Sequence, residues 1–399
     1  MPLKLTPLRV ATGLATASKI KASKANFNKD FRQETNSDLA AQLVTQAVAS
    51  AMKKADISIA SSVLLFLTSE FANDPQSAIK AAAKTANCTQ IIGCSATGIF
   101  TDEDWVLDSP AAAAMVFSGD ISLESVREHV DNQLLLTLTA PNAINTTWLN
   151  NKGTRFGGVS GDAIGHGPFS VWANGKGTVQ GHCEITLKYT RGAVAATHGL
   201  RFLSTPQRIT ACEGHDIYKL GNTSALDSLQ TAWESVNDSN ENLPYHQLMA
   251  VYLDEYVQDG DQIENGNYSL ATLIGGNEAK QSITLAKCLQ KNQWLCWAIR
   301  NIEAAEADFK KTALKLGKQL GEQLSGELGD TAPDFGLLFS CLGRGPYLYG
   351  IQDKDLLSLN TLYPNMPFIG FYGNGEIAPI NGKNELLQYS AVLGLFKAD

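Results

Sequence analysis

Helix-like and strand-like stretches follow one another in both halves of the sequence. Apolar residues recur at helical spacing in the segments 37–55, 74–86, 304–328 and, more briefly, 353–360. Short apolar runs bounded by polar or glycine-rich segments predict strands at 63–67, 89–94, 111–117, 335–341, 367–371 and 386–396. The mixture predicts helices that cover β-sheets.

Turn signals between these regions separate further β-prone runs. Asn174-Gly175 lies between two of them, and this dipeptide is a strong hairpin signal. One more antiparallel strand is predicted over 208–218. We therefore predict an α/β (α+β) chain with mixed, largely antiparallel sheets.

A chain of 399 residues exceeds the usual size of one hydrophobic core, so two domains are expected. A turn at 221–224 precedes a predicted helix, and the predicted domains are therefore residues 1–223 and 224–399.

Two glycine turns share one spacing. Ile92-Gly93 is followed by Gly98 as Ile369-Gly370 is followed by Gly375, and the flanking strands agree in position. We hypothesise an internal duplication with one helix-strand-helix-strand-turn-strand unit in each half; chance similarity of short glycine turns is the alternative. In this alignment Asn374 and Glu376 replace Thr97 and Ile99.

The charge balance limits the partners. The formal net charge of -8 does not favour nucleic acid as a partner.

The N-terminus lacks an apolar leader and no apolar run is long enough for a membrane span, so a cytoplasmic location is expected. Seven cysteines without CxxC spacing fit neither a disulfide framework nor a zinc site, and no metal or cofactor is expected.

The last glycine turn carries the main candidate ligand contacts, Tyr372, Asn374 and Glu376. The Glu376 carboxylate can accept hydrogen bonds from a ligand ammonium, and Arg344, between two glycines, can take a ligand carboxylate bidentately. Together they would suit a zwitterionic amino acid. The alternatives are that Glu376 and Asn374 stabilise the loop itself and that Arg344 and Glu376 pair with each other.

Other candidates lie at strand ends and turns. Cys341 and Cys94 each follow an apolar run near a glycine turn, where a nucleophile can work with His198 as its base. Buried packing is the alternative for the cysteines, and a loop or pocket-lining role is the alternative for His198. Ser95 and Asp162 belong to glycine turns that can line the same cavity, although Asp162 can instead cap its own turn.

Several motifs resemble the FIST family, which pairs an N-terminal and a C-terminal FIST domain. The resemblance rests on GCSATG at 93–98, FGGVSGD at 156–162, THGLR at 197–201, ITACEGHDIYKLG at 209–221, SCLGRGPYLYG at 340–350 and GFYGNGEIAPING at 370–382. It implies a sensory module that binds a small ligand, such as an amino acid, in signal transduction. Without an F-box, kinase or cyclase segment, the chain would have to signal through a partner protein or an oligomer; the alternative is that it does not signal at all.

Three functions are compatible with the sequence. A ligand-binding sensor predicts a small molecule that raises the melting temperature without turnover. A cysteine-dependent hydrolase or acyltransferase predicts a depressed pKa of the Cys341 or Cys94 thiol. A non-catalytic interaction scaffold predicts an exposed apolar patch. The sequence alone decides neither whether the protein is an enzyme nor which ligand, signalling partner or oligomeric state it has.

Overall fold

A computed structural model describes residues 9–18, 36–162, 164–178, 181–236, 242–256, 261–325 and 332–399. The chain is a mixed α+β protein, as predicted. It forms two compact units: unit 1 contains residues 1–196 and 310–399, and unit 2 contains residues 197–309.

The strands are numbered in chain order. The chain up to residue 197 contains β1 (Val10–Thr16), β2 (Ser62–Thr68), β3 (Ile91–Ala96), β4 (Gly98–Thr101), β5 (Trp105–Leu107), β6 (Ala111–Phe117), β7 (Ser122–Ser125), β8 (Leu134–Thr139), β9 (Thr154–Val159), β10 (Val171–Ala173), β11 (Lys176–Gly177), β12 (His182–Lys188) and β13 (Thr190–Thr197). Unit 2 contains β14 (Leu200–Phe202), β15 (Gln207–Glu213), β16 (Asp216–Leu220), β17 (Thr223–Ser224), β18 (Leu248–Leu253), β19 (Ser269–Asn277), β20 (Ser282–Leu285) and β21 (Trp294–Arg300). The last part of unit 1 contains β22 (Phe335–Cys341), β23 (Phe368–Gly373), β24 (Glu376–Ile380), β25 (Lys383–Leu387) and β26 (Ala391–Ala398).

Helices connect and cover these strands. The α-helices are α1 (Asn36–Ala55), α2 (Gln76–Ala86), α3 (Thr146–Leu149), α4 (Ala225–Glu234), α5 (Asp261–Glu264), α6 (Ile302–Ser325), α7 (Gly345–Tyr349) and α8 (Lys354–Leu362). The apolar faces of α1 and α2 pack on the outer face of the sheet that contains β2 and β6.

The described residues of unit 1 form three six-stranded sheets that share one pairing pattern. In each sheet two neighbouring strands are parallel: β2 with β3, β8 with β9, and β22 with β23. The first strand of each pair has an antiparallel neighbour, which is β6, β12 or β26. The second strand has an antiparallel hairpin at its other edge. The shared pattern indicates three related structural repeats.

The hairpins are exchanged among the three sheets. The hairpin β4–β5 follows β3 in sequence but pairs with β23, the hairpin β24–β25 follows β23 but pairs with β9, and the hairpin β10–β11 follows β9 but pairs with β3. Each sheet therefore has at its edge a hairpin that follows, in sequence, a strand of another sheet, and the three exchanges connect all three sheets in a cycle. This places the turn after each parallel strand at a junction between two sheets.

One apolar core fills the space between the three sheets. Phe66 and Phe371 are edge-to-face with ring centroids 5.0 Å apart, and Phe156 and Phe339 lie 6.3 Å apart. These four rings come from all three sheets and are fully buried. Such a core contributes most of the stability of the unit, because burial of apolar area is the main favourable term in folding.

The glycine at the same position of each repeat permits close contact between parallel strands. A Cβ at Gly93 would lie 1.7 Å from the Leu65 oxygen, and a Cβ at Gly370 would lie 1.7 Å from the Leu338 oxygen. The third glycine of this kind is Gly157, whose Cβ would lie 1.9 Å from the Thr137 oxygen. The sequence comparison aligned the first two turns and missed the third, because FGGVSGD has a different glycine spacing.

Unit 2 is an antiparallel sheet that closes on itself. The strand order β21-β15-β16-β20-β19-β18 returns to β21, while β14 pairs with β21 and β17 with β16. Its core includes Trp297, whose indole donates a hydrogen bond to the Ser228 hydroxyl of α4 at 3.1 Å.

Most predicted elements are confirmed, and three are corrected. The predicted strand 386–396 is two strands, since Tyr389 between them has a φ of 57°. The predicted strand 208–218 is a hairpin that turns at Gly214. Asn174 and Gly175 form the predicted turn with φ of 51° and 71°, but its second arm is only Lys176–Gly177, and β12 belongs to another sheet.

Candidate functional site

The ends of the three parallel strand pairs converge in unit 1. A Cβ at Gly161, just beyond β9, would lie 2.8 Å from Thr97 Oγ1 and 2.9 Å from Asn374 Oδ1. The backbone of Val159 accepts a hydrogen bond from the Asn374 amide at 3.1 Å and donates one to Gly375 at 2.9 Å. The turn that carries Glu376 is therefore attached to the end of a neighbouring sheet.

Glu376 occupies a position that is apolar in the other two repeats. It pairs with Gly158 of β9, whereas the corresponding residue in β4 is Ile99 and the corresponding residue in β10 is Val171. Ile99 and Val171 belong to the central core. The aligned pair Ile99 and Glu376 is thus confirmed as structurally equivalent, and packing alone would select an apolar residue here.

The Glu376 carboxylate is fully buried. Its exposed fraction is 0%, and no described residue donates a hydrogen bond of ordinary geometry to either oxygen. Burial raises the pKa of Glu376 well above its usual value, although the nearby Ser390 amide and the Arg344 guanidinium lower it in part. A buried carboxylate in this state is costly to the fold, because its lost hydration is replaced only in part.

Arg344 lies at the start of α7 and is held by Asp355. Its Nε and Nη2 donate to the two carboxylate oxygens of Asp355 at 2.7 and 3.2 Å, and both side chains are 1% exposed. The Tyr349 hydroxyl donates to the same carboxylate at 2.7 Å. The bidentate geometry predicted for a ligand carboxylate is therefore present, but Asp355 occupies it.

Tyr372 connects the glycine turn to this network. Its hydroxyl donates to Asp353 at 2.7 Å, and its ring packs against Phe100 with centroids 4.8 Å apart. Asp353 also caps α8, since its carboxylate accepts from the amides of Asp355 and Leu356. The turn, α7 and α8 are thus joined by buried polar contacts.

Asp353 is expected to make stability depend on pH. Burial, followed by the charge of Asp355, raises its pKa from 3.8 to about 6. The folded state therefore binds this proton more tightly than the unfolded state does, and protonated Asp353 contributes to the free energy of unfolding. That contribution, about 3 kcal/mol, is complete below about pH 4 and is lost as the pH rises through 6. Urea unfolding at several pH values should show this loss relative to Asp353→Asn, which keeps an N-cap but cannot ionise.

An exposed control separates this effect from general titration. Asp131 pairs with Lys152 at the surface at 3.1 Å, so Asp131→Asn should follow the wild type across the same pH range. Equal pH profiles for the wild type and Asp353→Asn would contradict the assignment.

The two candidate cysteines differ in their surroundings. Cys94 lies in the central core, and burial raises the pKa of its thiol well above the usual value, with a further contribution from Cys183. Cys341 ends β22 and is buried, with its amide bonded to the Ser390 carbonyl at 2.9 Å. The Cys94 environment opposes thiolate formation, on which a cysteine nucleophile depends.

The remaining candidates have structural contacts. Ser95 and Ser160 are buried together with hydroxyl oxygens 3.2 Å apart, which links two of the strand ends. Asp162 accepts hydrogen bonds from the amides of Gly165, His166 and Gly167 and so caps its own turn. His198 belongs to unit 2, where its ring lies 5.0 Å from that of Tyr268.

Asp353 and Asp355, the acids that bind Tyr372 and Arg344, were not identified from the sequence. Asp353 is the first residue of the predicted helix at 353–360, so the N-cap preference for Asp was an available signal. Asp355 had no comparable signal, because an acid in the first turn of a helix is usually solvated. Among the described residues, no group of three or more His, Cys, Asp or Glu could hold a metal ion. No helix in the described ranges is both long and apolar enough to cross a membrane.

Curated relatives match most of the chain. A protein of Mycobacterium bovis is 25% identical over 333 residues, which cover 77% of this chain and 83% of the relative. A protein of Mycobacterium tuberculosis matches to the same extent, and a second one is 24% identical over 330 residues with the same coverage. All three are described as uncharacterised proteins.

Two family models match in succession. The FIST N domain matches residues 61–223, and the FIST C domain matches residues 225–379. Each matched segment includes parts of both compact units, so the division at 223/224 remains a prediction about domains. FIST domains are associated with sensing in signal transduction. Because these two models together match most of the chain, the resemblance is confirmed and the chain belongs to the FIST family.

Proposed function

We propose that this protein is a sensor that reversibly binds a small polar ligand, an amino acid or a related metabolite, at Glu376. The observation that supports the proposal is the buried carboxylate where the other repeats have Ile99 and Val171. Residues that reduce the stability of the fold and have no evident structural role are typical of functional sites. A ligand ammonium would supply the donors that Glu376 lacks.

Neighbouring polar groups extend the site. Thr97 Oγ1 is buried and has no hydrogen-bond partner among the described residues, and the Asn374 amide group is adjacent to the same glycine. A hydroxyl and an amide offer both donors and acceptors, which suits a polar ligand better than an apolar one. Ligand binding would then be passed to a signalling partner protein, in line with the sensory association of FIST domains.

Cysteine chemistry has less support as an alternative. The environment of Cys94 raises the pKa of its thiol, whereas a nucleophilic cysteine needs a lowered pKa. Rapid alkylation of Cys341 by a thiol probe, together with turnover of an ester or amide, would favour the hydrolase or acyltransferase hypothesis instead.

A thermal-shift screen against amino acids, small peptides and acyl derivatives tests the proposal. At least one compound should raise the melting temperature of the wild type by mass action. Glu376→Gln should weaken that binding by roughly 10- to 150-fold, because a hydrogen bond to a charged group contributes about 1.5–3 kcal/mol. Titration calorimetry on both proteins would measure the ratio.

Two controls make the result specific. Glu322 is exposed on α6, so Glu322→Gln should bind as the wild type does. Glu376→Ile introduces the residue of the first repeat and should be at least as stable as the wild type while it loses binding. A less stable Glu376→Ile variant, or a screen without any small-molecule hit, would favour a structural carboxylate and the scaffold hypothesis.

A further inference from the structure

The charges around Glu376 distinguish between classes of ligand. An amino acid brings a carboxylate as well as an ammonium, and each needs a partner of opposite charge in a buried site. The sequence assigned the ligand carboxylate to Arg344. In the structure, the planar edge of that guanidinium, Nε and Nη2, is already bonded to Asp355.

The Arg344–Asp355 pair is part of the fold. Both side chains are almost fully buried, and Asp355 also accepts the Tyr349 hydroxyl. Removal of Asp355 from Arg344 would leave a buried charge unpaired, which is strongly destabilising. A ligand carboxylate would have to compete with this pair for the same edge of the guanidinium.

The local charge count favours a cation. Asp355 is bonded to the Arg344 guanidinium, and the buried Glu376 carboxyl is close enough to interact with the same guanidinium electrostatically. A third buried carboxyl group, that of Asp353, lies close enough to Asp355 for the two to repel each other. Asp353 is bonded to the Tyr372 hydroxyl and to backbone amides, none of which carries a full charge. A ligand carboxylate would therefore increase the repulsion among these groups, whereas a ligand ammonium would reduce it.

We infer that the ligand of the Glu376 site is a primary amine without a free α-carboxylate, such as a decarboxylated or carboxyl-blocked amino acid. This inference rests on the proposed function, since it specifies the ligand of the same site. Glu376 accepts from the ammonium, while the Arg344–Asp355 pair stays intact and excludes a carboxylate from the guanidinium edge.

Matched pairs of compounds test the inference. The amines putrescine, cadaverine, agmatine and glycinamide are compared with ornithine, lysine, arginine and glycine by thermal shift and titration calorimetry on the full chain. At least one amine should bind more than tenfold more tightly than its parent amino acid, and Glu376→Gln should abolish that preference.

A second variant reverses the expected preference. Asp355→Asn removes the carboxylate from Arg344 and should shift the ratio of affinities toward the amino acid by tenfold or more, provided that circular dichroism shows a folded protein. The comparison of wild type with Glu376→Gln remains decisive if Asp355→Asn does not fold. Equal or tighter binding of the parent amino acids to the wild type would overturn the inference.

The failures of the two proposals are distinguishable. If the amines do not bind but another small polar compound binds in a Glu376-dependent way, the amine inference fails and the sensor proposal stands. If no small polar compound of any class binds, both fail.

Discussion

Alanine in place of Gly370 is expected to lower the free energy of unfolding by about 3 kcal/mol or more. The new Cβ would lie 1.7 Å from the Leu338 oxygen and 2.5 Å from the Phe100 ring. The nearest atom belongs to the backbone of the neighbouring parallel strand, which cannot move away as the end of a flexible side chain can. Insertion of a methyl group into such a contact typically costs about 1–3 kcal/mol, and more where the backbone must shift.

Denaturant unfolding of matched glycine variants measures this effect. Gly93→Ala and Gly157→Ala should be destabilised to a similar degree, because these glycines occupy the same position in the other two repeats. Gly177→Ala is the control, since no atom lies within 4 Å of its Cβ position. A loss below about 1 kcal/mol at Gly157 alone would argue against the third repeat.

Alanine in place of Arg344 is expected to cost about 3–5 kcal/mol of stability. The substitution leaves the Asp355 carboxylate buried, with its two guanidinium hydrogen bonds lost. The exposed pair Lys318–Glu322, 3.7 Å apart, is the control, and Lys318→Ala should cost less than about 0.5 kcal/mol.

The double variant Arg344→Met with Asp355→Leu gives a sharper test of this pair. Replacement of both charges by apolar groups of similar size should recover most of the stability lost in Arg344→Ala, because neither charge is left unpaired. Similar losses in the single and double variants would mean that the two side chains act through other contacts.

The comparison of the two glycine turns predicted the position of Glu376 in the fold better than the chemistry of any single residue did. Alignment of Gly93 with Gly370 set Glu376 against Ile99, and the strand pairing shows that these residues are equivalent. The role of Arg344 was harder to predict, because its partner Asp355 follows a turn and a short helix. Whether Glu376 binds a ligand stays a prediction.

The local sequence determined most helices and strands, including the two buried strands 111–117 and 335–341 with their exact bounds. Their apolar runs and flanking turns are local signals, which one segment carries by itself. Hairpin exchange depends instead on contacts between strands far apart in sequence, as between β4 and β23. Only the tertiary structure therefore decided that there are three repeats, and that the Glu376 carboxylate is buried where the other two repeats place an apolar side chain.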